Sequence, residues 1–273
     1  MSSPAVKVYF DFNSPFSVVS IMRLYQISKN VKPSEEYEFF TANITHPVLK
    51  KVTYDLKPIS FGIVLKRMGA PIPAIVPGSK RAEYMWYDVS RTLKSMGFDA
   101  INPKKLANWP QRTKRVNNVI YLLQYPKLLA QAAEEVLPAQ TAAQLATLLS
   151  PASSQECFNL AIEFAYQTCF AMYRENRIID SEEALTVILS RTFAALSFHE
   201  IPVLTGALAR ISKMSQKTIR FESDSTNSAF ESNVFGVPSF YTETAPNLFW
   251  GNERLIDAAI HAYSGSSNPE AKL

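Results

Sequence analysis

The chain has 273 residues, of which 47% are hydrophobic and 19% charged, and its formal net charge is +4. A globular chain near 300 residues buries about 75% of its unfolded surface, so we expect a sizeable core. The basic residues are scattered and form no stripe, which argues against a nucleic-acid-binding protein. No run approaches 18 consecutive apolar residues, and this argues against a transmembrane helix.

The chain has two cysteines, Cys157 and Cys169, which lie 12 positions apart within a predicted helix. At 100° per residue they point to different faces of that helix, so they cannot pair within it. Two lone cysteines without a redox motif suit a reducing compartment. The N-terminal segment has no positive region leading into an apolar core, so it does not resemble a signal peptide.

The N-terminal part predicts a strand, a helix and a second strand. VKVYFDF, residues 6–12, alternates and is rich in strand-forming residues, which predicts the first strand. Residues 16–29 have the pattern of a largely buried helix, and EYEFFTANI, residues 36–44, predicts the second strand. Proline-rich loops then lead into helical patterns. These patterns cover residues 80–96, 112–132, 139–149, 154–175, 181–192 and 200–213.

Strands are predicted again near the end of the chain. GVPSFYTE (236–243) and NLFWG (247–251) predict a hairpin, and NERLIDAAIHAY (252–263) predicts a closing amphipathic helix. This order predicts an α/β protein with a small mixed sheet that a helical insertion interrupts. We expect a discontinuous domain of residues 1–55 and 218–273 and a helical domain of residues 56–217.

Ser14 lies where the first predicted strand passes into the first helix. The free amides and the dipole of a helix N-terminus favour an anion, and a thiolate is an anion. A serine hydroxyl there can donate one hydrogen bond to the sulfur. It cannot itself act as a nucleophile without a base, and no histidine is near it in sequence. The alternative is that Ser14 only caps the helix, with Pro15 as its first residue.

Two further stretches could bind a small peptide. We expect the Val237–Pro238 bond to be cis, which would turn the amide and the carbonyl of Val237 outward to pair with an extended peptide. Asn252 and Glu253 open the closing helix, where they could hold the charged end of the same ligand. For the latter pair the alternative is capping alone, with Asn252 as the N-cap.

Four stretches together resemble the kappa-class glutathione transferases and the related 2-hydroxychromene-2-carboxylate isomerases. They are YFDFNSPFS (9–17), YMWYDV (84–89), FGVPSF (235–240) and LFWGNERL (248–255). The resemblance implies a thioredoxin-like fold with a large all-helical domain inserted after the second strand. It also relates the chain to DsbA-type oxidoreductases, whose Cys-x-x-Cys motif falls on residues 14–17 here.

The resemblance also implies roles for single residues. Ser14 would be the catalytic residue that hydrogen-bonds the glutathione thiolate, Val237 and Pro238 would bind the cysteinyl part, and Asn252 and Glu253 would hold the γ-glutamyl end. The implied function is that of a kappa-class-like glutathione-dependent transferase. The alternatives are a glutathione-dependent isomerase of the 2-hydroxychromene-2-carboxylate type and a non-catalytic ligand-binding relative. Glutathione would be the co-substrate of a small electrophile, no metal is implied, and the family suggests a homodimer.

One departure from the family concerns the loop after the second strand, where the family usually has an asparagine near a Lys-Pro. Here ITHPVLKKVTYDLKP, residues 44–58, has no asparagine at that position. Thr53, Asp55 or Lys57 could substitute for it. This departure leaves open either the affinity for glutathione or the identity of the second substrate.

The end of the sequence predicts a location in the cell. Ala271, Lys272 and Leu273 fit the small-basic-leucine pattern that a peroxisomal import receptor recognises, and the polar segment before them suits an accessible tail. We therefore expect a peroxisomal protein. The alternative is a tail without a signal on a cytoplasmic protein.

Overall fold

The structure is a computed structural model that describes residues 4–31, 44–71, 78–106, 108–149, 153–243 and 245–267. Its first elements follow the prediction. Strand β1 is Ala5–Phe10 and helix α1 is Pro15–Ser28. Ser14 caps α1 and Pro15 occupies its first turn, where the missing amide of proline removes no helical hydrogen bond. Nearly all of α1 is buried, so this helix lies in the core of its unit.

The prediction was wrong about the strand that pairs with β1. Strand β2 is Thr53–Pro58, within a stretch that we predicted as a loop. Its side chains alternate between half-buried and buried, and Pro58 ends it at the edge of the sheet, where a missing amide is tolerated. Of the strand predicted at 36–44, residues 36–43 lie outside the described residues. Helix α2, Phe61–Arg67, and helix α3, Lys80–Ser95, follow β2.

All six predicted helical segments are helical, and two of them are divided. Helices Phe61–Arg67 and Gln216–Glu231 lie outside the predicted segments. The predicted segment 112–132 is divided at Pro126 into two helices, because proline suits only a first turn. The predicted segment 154–175 ends as an α-helix at Cys169 and continues as a π-helical turn, Phe170–Arg174. The helices α4 to α10 are Lys114–Gln124, Pro126–Val136, Ala139–Leu148, Ser154–Cys169, Glu182–Ala195, Ile201–Met214 and Gln216–Glu231.

The predicted hairpin is formed by strands β3, Ser239–Thr242, and β4, Asn247–Trp250. The closing helix α11 is Leu255–Ser267, three residues later than predicted, because a short 3-10 turn, Asn252–Arg254, precedes it. Asn252 therefore does not cap the helix as the sequence suggested. Gly251 occupies the N-cap position of the 3-10 turn, which has no side-chain cap.

The strand order of the sheet is β2-β1-β3-β4. Strand β1 runs parallel to β2 and antiparallel to β3, with Tyr9 opposite Ser239. The end of β1 therefore lies beside the start of β3. A core cluster packs there around the buried Tyr9, and its other members are Ile59, Val64, Ala229, Val234 and Val237.

The chain divides into two compact units, and the boundaries differ from the predicted domains. One unit comprises Met1–Leu106 with Thr226–Leu273, and the other is Ala107–Ser225. The predicted boundary at residue 55 falls inside β2. Helix α3 belongs to the sheet-containing unit because its end is tied to α1, where the Gln26 side-chain amide donates to the Met96 carbonyl at 2.8 Å.

Two further predictions concern a transmembrane helix and the C-terminal tripeptide. Within the described ranges, no helix is both long and apolar enough to cross a bilayer. The tripeptide Ala271, Lys272 and Leu273 lies outside the described residues.

Candidate functional site

The topology of the sheet brings Ser14 and Val237 together. Ser14 follows the end of β1, and Val237 precedes the start of β3, which lies beside it. The Ser14 hydroxyl donates a hydrogen bond to the Val237 carbonyl at 3.2 Å. Two residues that are 223 positions apart in the sequence therefore lie in direct contact.

The hydroxyl of Ser14 also caps α1. Its oxygen accepts a hydrogen bond from the Ser17 amide at 3.3 Å, and the first turn of α1 contains no acidic side chain. The positive end of the helix dipole is thus not offset by a carboxylate within the helix itself. Because the single hydroxyl proton points at Val237, a bound thiolate would have to replace that carbonyl as its acceptor.

The Val237–Pro238 bond is cis, as predicted. The expectation for the groups of Val237 was only partly correct, since its carbonyl accepts the Ser14 hydroxyl and is not free. Its amide donates no hydrogen bond to any part of the chain that the structure describes. Val237 is only 6% exposed. Because its carbonyl is occupied, its amide is the backbone group with which an extended ligand would have to pair.

The turn with Asn252 and Glu253 is joined to the same place. The Gly251 amide donates to the Pro238 carbonyl at 3.1 Å, which places the turn beside the cis proline. Gly251 has a φ of 109°, a conformation that favours glycine. A Cβ atom at this position would lie 2.5 Å from Oε1 of Glu253, so the carboxylate packs directly over the glycine.

Arg23 is a residue of this site that the sequence analysis did not identify. It lies on α1 and is 6% exposed, and its Nη1 donates to the Asn252 carbonyl. Burial lowers the pKa of its guanidinium, and the negative charge of Glu253 acts in the opposite direction. An arginine among the buried positions of a helix was the available signal, but its partner is 229 residues away in the sequence.

Asp11 is the second residue that the sequence analysis missed. Its carboxylate accepts hydrogen bonds from the Asn13 amide at 2.8 Å and from the Phe61 amide at 3.0 Å. It thereby joins the end of β1 to the segment after β2. The neighbouring Asp11 amide donates to the buried Ser17 hydroxyl at 3.4 Å, so Ser17 serves the backbone of the turn.

The three residues suggested as substitutes for the family asparagine lie on β2 and not in a loop. Asp55 and Lys57 form an ion pair at 3.0 Å, and the Thr53 hydroxyl donates to the Pro4 carbonyl at 3.3 Å. The loop that follows the actual second strand begins at Ile59. The sequence from 59 to 77 contains no asparagine, so the departure from the family remains after the correction.

Two exposed aromatic rings flank the site. Phe235 and Trp250 are 48% and 54% exposed, and their rings meet edge to face with centroids 5.1 Å apart. The indole covers Gly236, where any Cβ atom would overlap it. Each ring is therefore within two residues of a group that the sequence analysis assigned to ligand binding.

Two other kinds of catalytic site were considered for these residues, a metal centre and a serine nucleophile activated by a histidine. In the described portion of the chain, no three histidine, cysteine, aspartate or glutamate side chains are grouped so that they could hold a metal ion. His46 accepts the Val48 amide, and His261 contacts Thr242, so neither is hydrogen-bonded to Ser14. In the part of the chain that the structure describes, the Ser14 hydroxyl is bonded to Val237 and Ser17 and to no histidine that could make it a nucleophile.

The sequence matches no protein-family model and no curated protein. Among solved structures, the chain is similar to that of a 2-hydroxychromene-2-carboxylate isomerase, with a TM-score of 0.57 and 19% identity. The similarity covers 96% of this chain and 97% of that one. At this identity the likeness shows the fold alone, which is a DsbA-like thioredoxin fold with a helical insertion, as predicted.

Proposed function

We propose that the chain is a glutathione-dependent enzyme that activates the glutathione thiolate for attack on an electrophilic small molecule. The observation that carries this proposal is the contact of the Ser14 hydroxyl with the Val237 carbonyl at the N-terminus of α1. This contact places a helix end that favours an anion next to a backbone amide that can pair with a peptide.

In this proposal the thiol of glutathione loses its proton to solvent, and the thiolate takes the place of the Val237 carbonyl as acceptor of the Ser14 hydroxyl. The free thiol has a pKa of about 8.5, and each unit by which the site lowers it corresponds to about 1.4 kcal/mol. The cysteinyl backbone pairs with the free amide of Val237. The γ-glutamyl end lies at Asn252 and Glu253, whose carboxylate attracts the ammonium group.

Two reactions follow from such a thiolate. In a transferase, the sulfur forms a bond to an electrophilic carbon, and a leaving group departs with its electron pair. In an isomerase, the sulfur adds to a conjugated double bond, the resulting single bond rotates, and elimination regenerates the thiolate. The similarity to the 2-hydroxychromene-2-carboxylate isomerase structure supports the isomerase as the alternative to the transferase.

The test is the ultraviolet absorbance of a thiolate when glutathione is added to the protein at neutral pH. We expect an absorbance increase that saturates with glutathione and that S-methylglutathione, which has no ionisable thiol, does not produce. Turnover of a generic aryl halide and of 2-hydroxychromene-2-carboxylate would then separate transferase from isomerase. Binding of glutathione without any thiolate absorbance would contradict the proposed chemistry.

A second candidate is a non-catalytic protein that binds a small ligand in the same groove. Two observations favour it: the Ser14 proton is already donated to Val237, and residues 59–77 lack the family asparagine. This candidate predicts a ligand that binds without a change in the ionisation of any thiol. The absorbance experiment therefore distinguishes the two.

A further inference from the structure

Arg23 is the anomalous residue of α1. Its neighbours Met22 and Leu24 are buried and apolar, yet this arginine is itself only 6% exposed. Burying a guanidinium is costly unless other groups compensate for the lost water. Its position in the core therefore calls for a compensating partner.

The compensation comes from the turn that carries Glu253. The guanidinium donates to the Asn252 carbonyl, and Glu253 is the carboxylate whose charge acts on it. A guanidinium has five N–H donors, and within the described ranges Arg23 donates a hydrogen bond to the Asn252 carbonyl. Further N–H donors of Arg23 therefore remain beside the negative charge of Glu253.

Arg23 also relates this turn to the position of the proposed thiolate. It follows Ser14 by nine residues on one helix, which corresponds to about 13 Å along the axis. Its guanidinium contacts the carbonyl of Asn252, which belongs to the proposed binding turn. One rigid helix therefore sets the spacing between the sulfur and the far end of a ligand.

We propose that Arg23 is a positioning residue that fixes the Asn252–Arg254 turn to α1 and, with Glu253, presents paired opposite charges to a ligand end that bears both an ammonium and a carboxylate group. This inference rests on the proposed function, because the γ-glutamyl end of glutathione has this chemistry. Cysteinylglycine keeps the thiol but lacks that end. The two compounds therefore isolate the contribution of the pair.

The experiment is calorimetric titration of four proteins with glutathione and with cysteinylglycine. These are the native chain and its Arg23→Gln, Arg23→Lys and Lys29→Gln variants. Arg23→Gln should weaken glutathione binding by about tenfold or more, without changing the affinity for cysteinylglycine or the pKa of the bound thiol. Arg23→Lys should restore part of the loss, and Lys29→Gln, which removes a charge from the end of the same helix, should behave as the native chain. Equal losses for both ligands, or none, would overturn the proposal.

A second measurement keeps the inference testable if the native chain binds no glutathione, an outcome that would refute the proposed function. Glu253→Gln should lower the unfolding temperature when Arg23 is present but not when it is replaced by glutamine. Additive effects in this double-mutant cycle would show that Arg23 does not fix the turn. If Arg23→Gln does not fold, Arg23→Met, which keeps an unbranched side chain but removes the charge, replaces it in both experiments.

Discussion

The hydroxyl of Ser14 serves the fold and the proposed chemistry at once. As an N-cap it stabilises α1 by about 0.5–2 kcal/mol, and its proton is donated to Val237. A hydrogen bond to a charged acceptor contributes about 1.5–3 kcal/mol, against about 1 kcal/mol for a neutral one. A thiolate should therefore displace the carbonyl as acceptor, since the charged bond is the stronger of the two.

Replacing Ser14 with alanine should raise the pKa of bound glutathione by about one to two units and reduce turnover accordingly. Measurement of thiolate absorbance against pH checks this. Ser79→Ala is the matched control, because Ser79 caps α3 through the same bond to the third helical amide. It should lower stability by about 1 kcal/mol and leave turnover unchanged. A folded Ser14→Ala protein with native activity would refute the assignment.

Glu253 lies at the end of the proposed ligand that is remote from the sulfur. Replacing Glu253 with glutamine should raise KM for glutathione by up to about fivefold, the limit for an exposed ion pair, with a smaller effect on kcat. Steady-state kinetics at saturating second substrate would check this. A loss confined to kcat would place Glu253 in the chemical step instead.

The turn from Gly251 to Arg254 is the element that joins the hairpin to the closing helix, and it depends on one glycine. Because of its positive φ and the carboxylate packed over it, Gly251→Ala should cost about 1–3 kcal/mol and weaken glutathione binding. Chemical denaturation checks the first effect. Gly62→Ala is the control, since Gly62 lies in α2 with no atom within 4 Å of an added Cβ. Equal stability of the two variants would contradict this account of the turn.

The elements differ in how far the sequence could predict them. Strand β1, helix α1 and the β3–β4 hairpin were predicted because alternation, a Ser-Pro start and a polar turn are local signals. Strand β2 was missed because its polar outward residues and terminal proline resemble a loop, and only its pairing with β1 identifies it. The contacts of Arg23 and Ser14 could not be predicted, since each joins residues more than 200 positions apart.

At the scale of the whole molecule, both cysteines belong to the unit Ala107–Ser225, and the residues of the candidate site all lie outside this range of the sequence. Both thiols are buried, and burial raises their pKa values. A thiol reacts as the thiolate, so neither should contribute chemistry of its own in the folded protein.

We therefore expect that a thiol reagent labels neither Cys157 nor Cys169 in the native protein at neutral pH and labels both after unfolding. Because both lie on one helix, α7, the labelling rate should follow the opening of the helical unit. Mass spectrometry of the labelled protein would measure it. Rapid labelling of the native protein would show that this helix is more accessible than its burial indicates.

The packing of Trp250 on Gly236 gives the protein an optical signal of its own. The indole is half exposed, touches the residue before Val237 and belongs to the strand that leads into Gly251. A ligand that pairs with the Val237 amide should therefore alter the water around this ring and shift its fluorescence. Trp86 and Trp109 would give a constant background, so Trp250→Phe should abolish the shift. Occupancy of the groove could then be followed without a label, in milliseconds, and before any substrate has been identified.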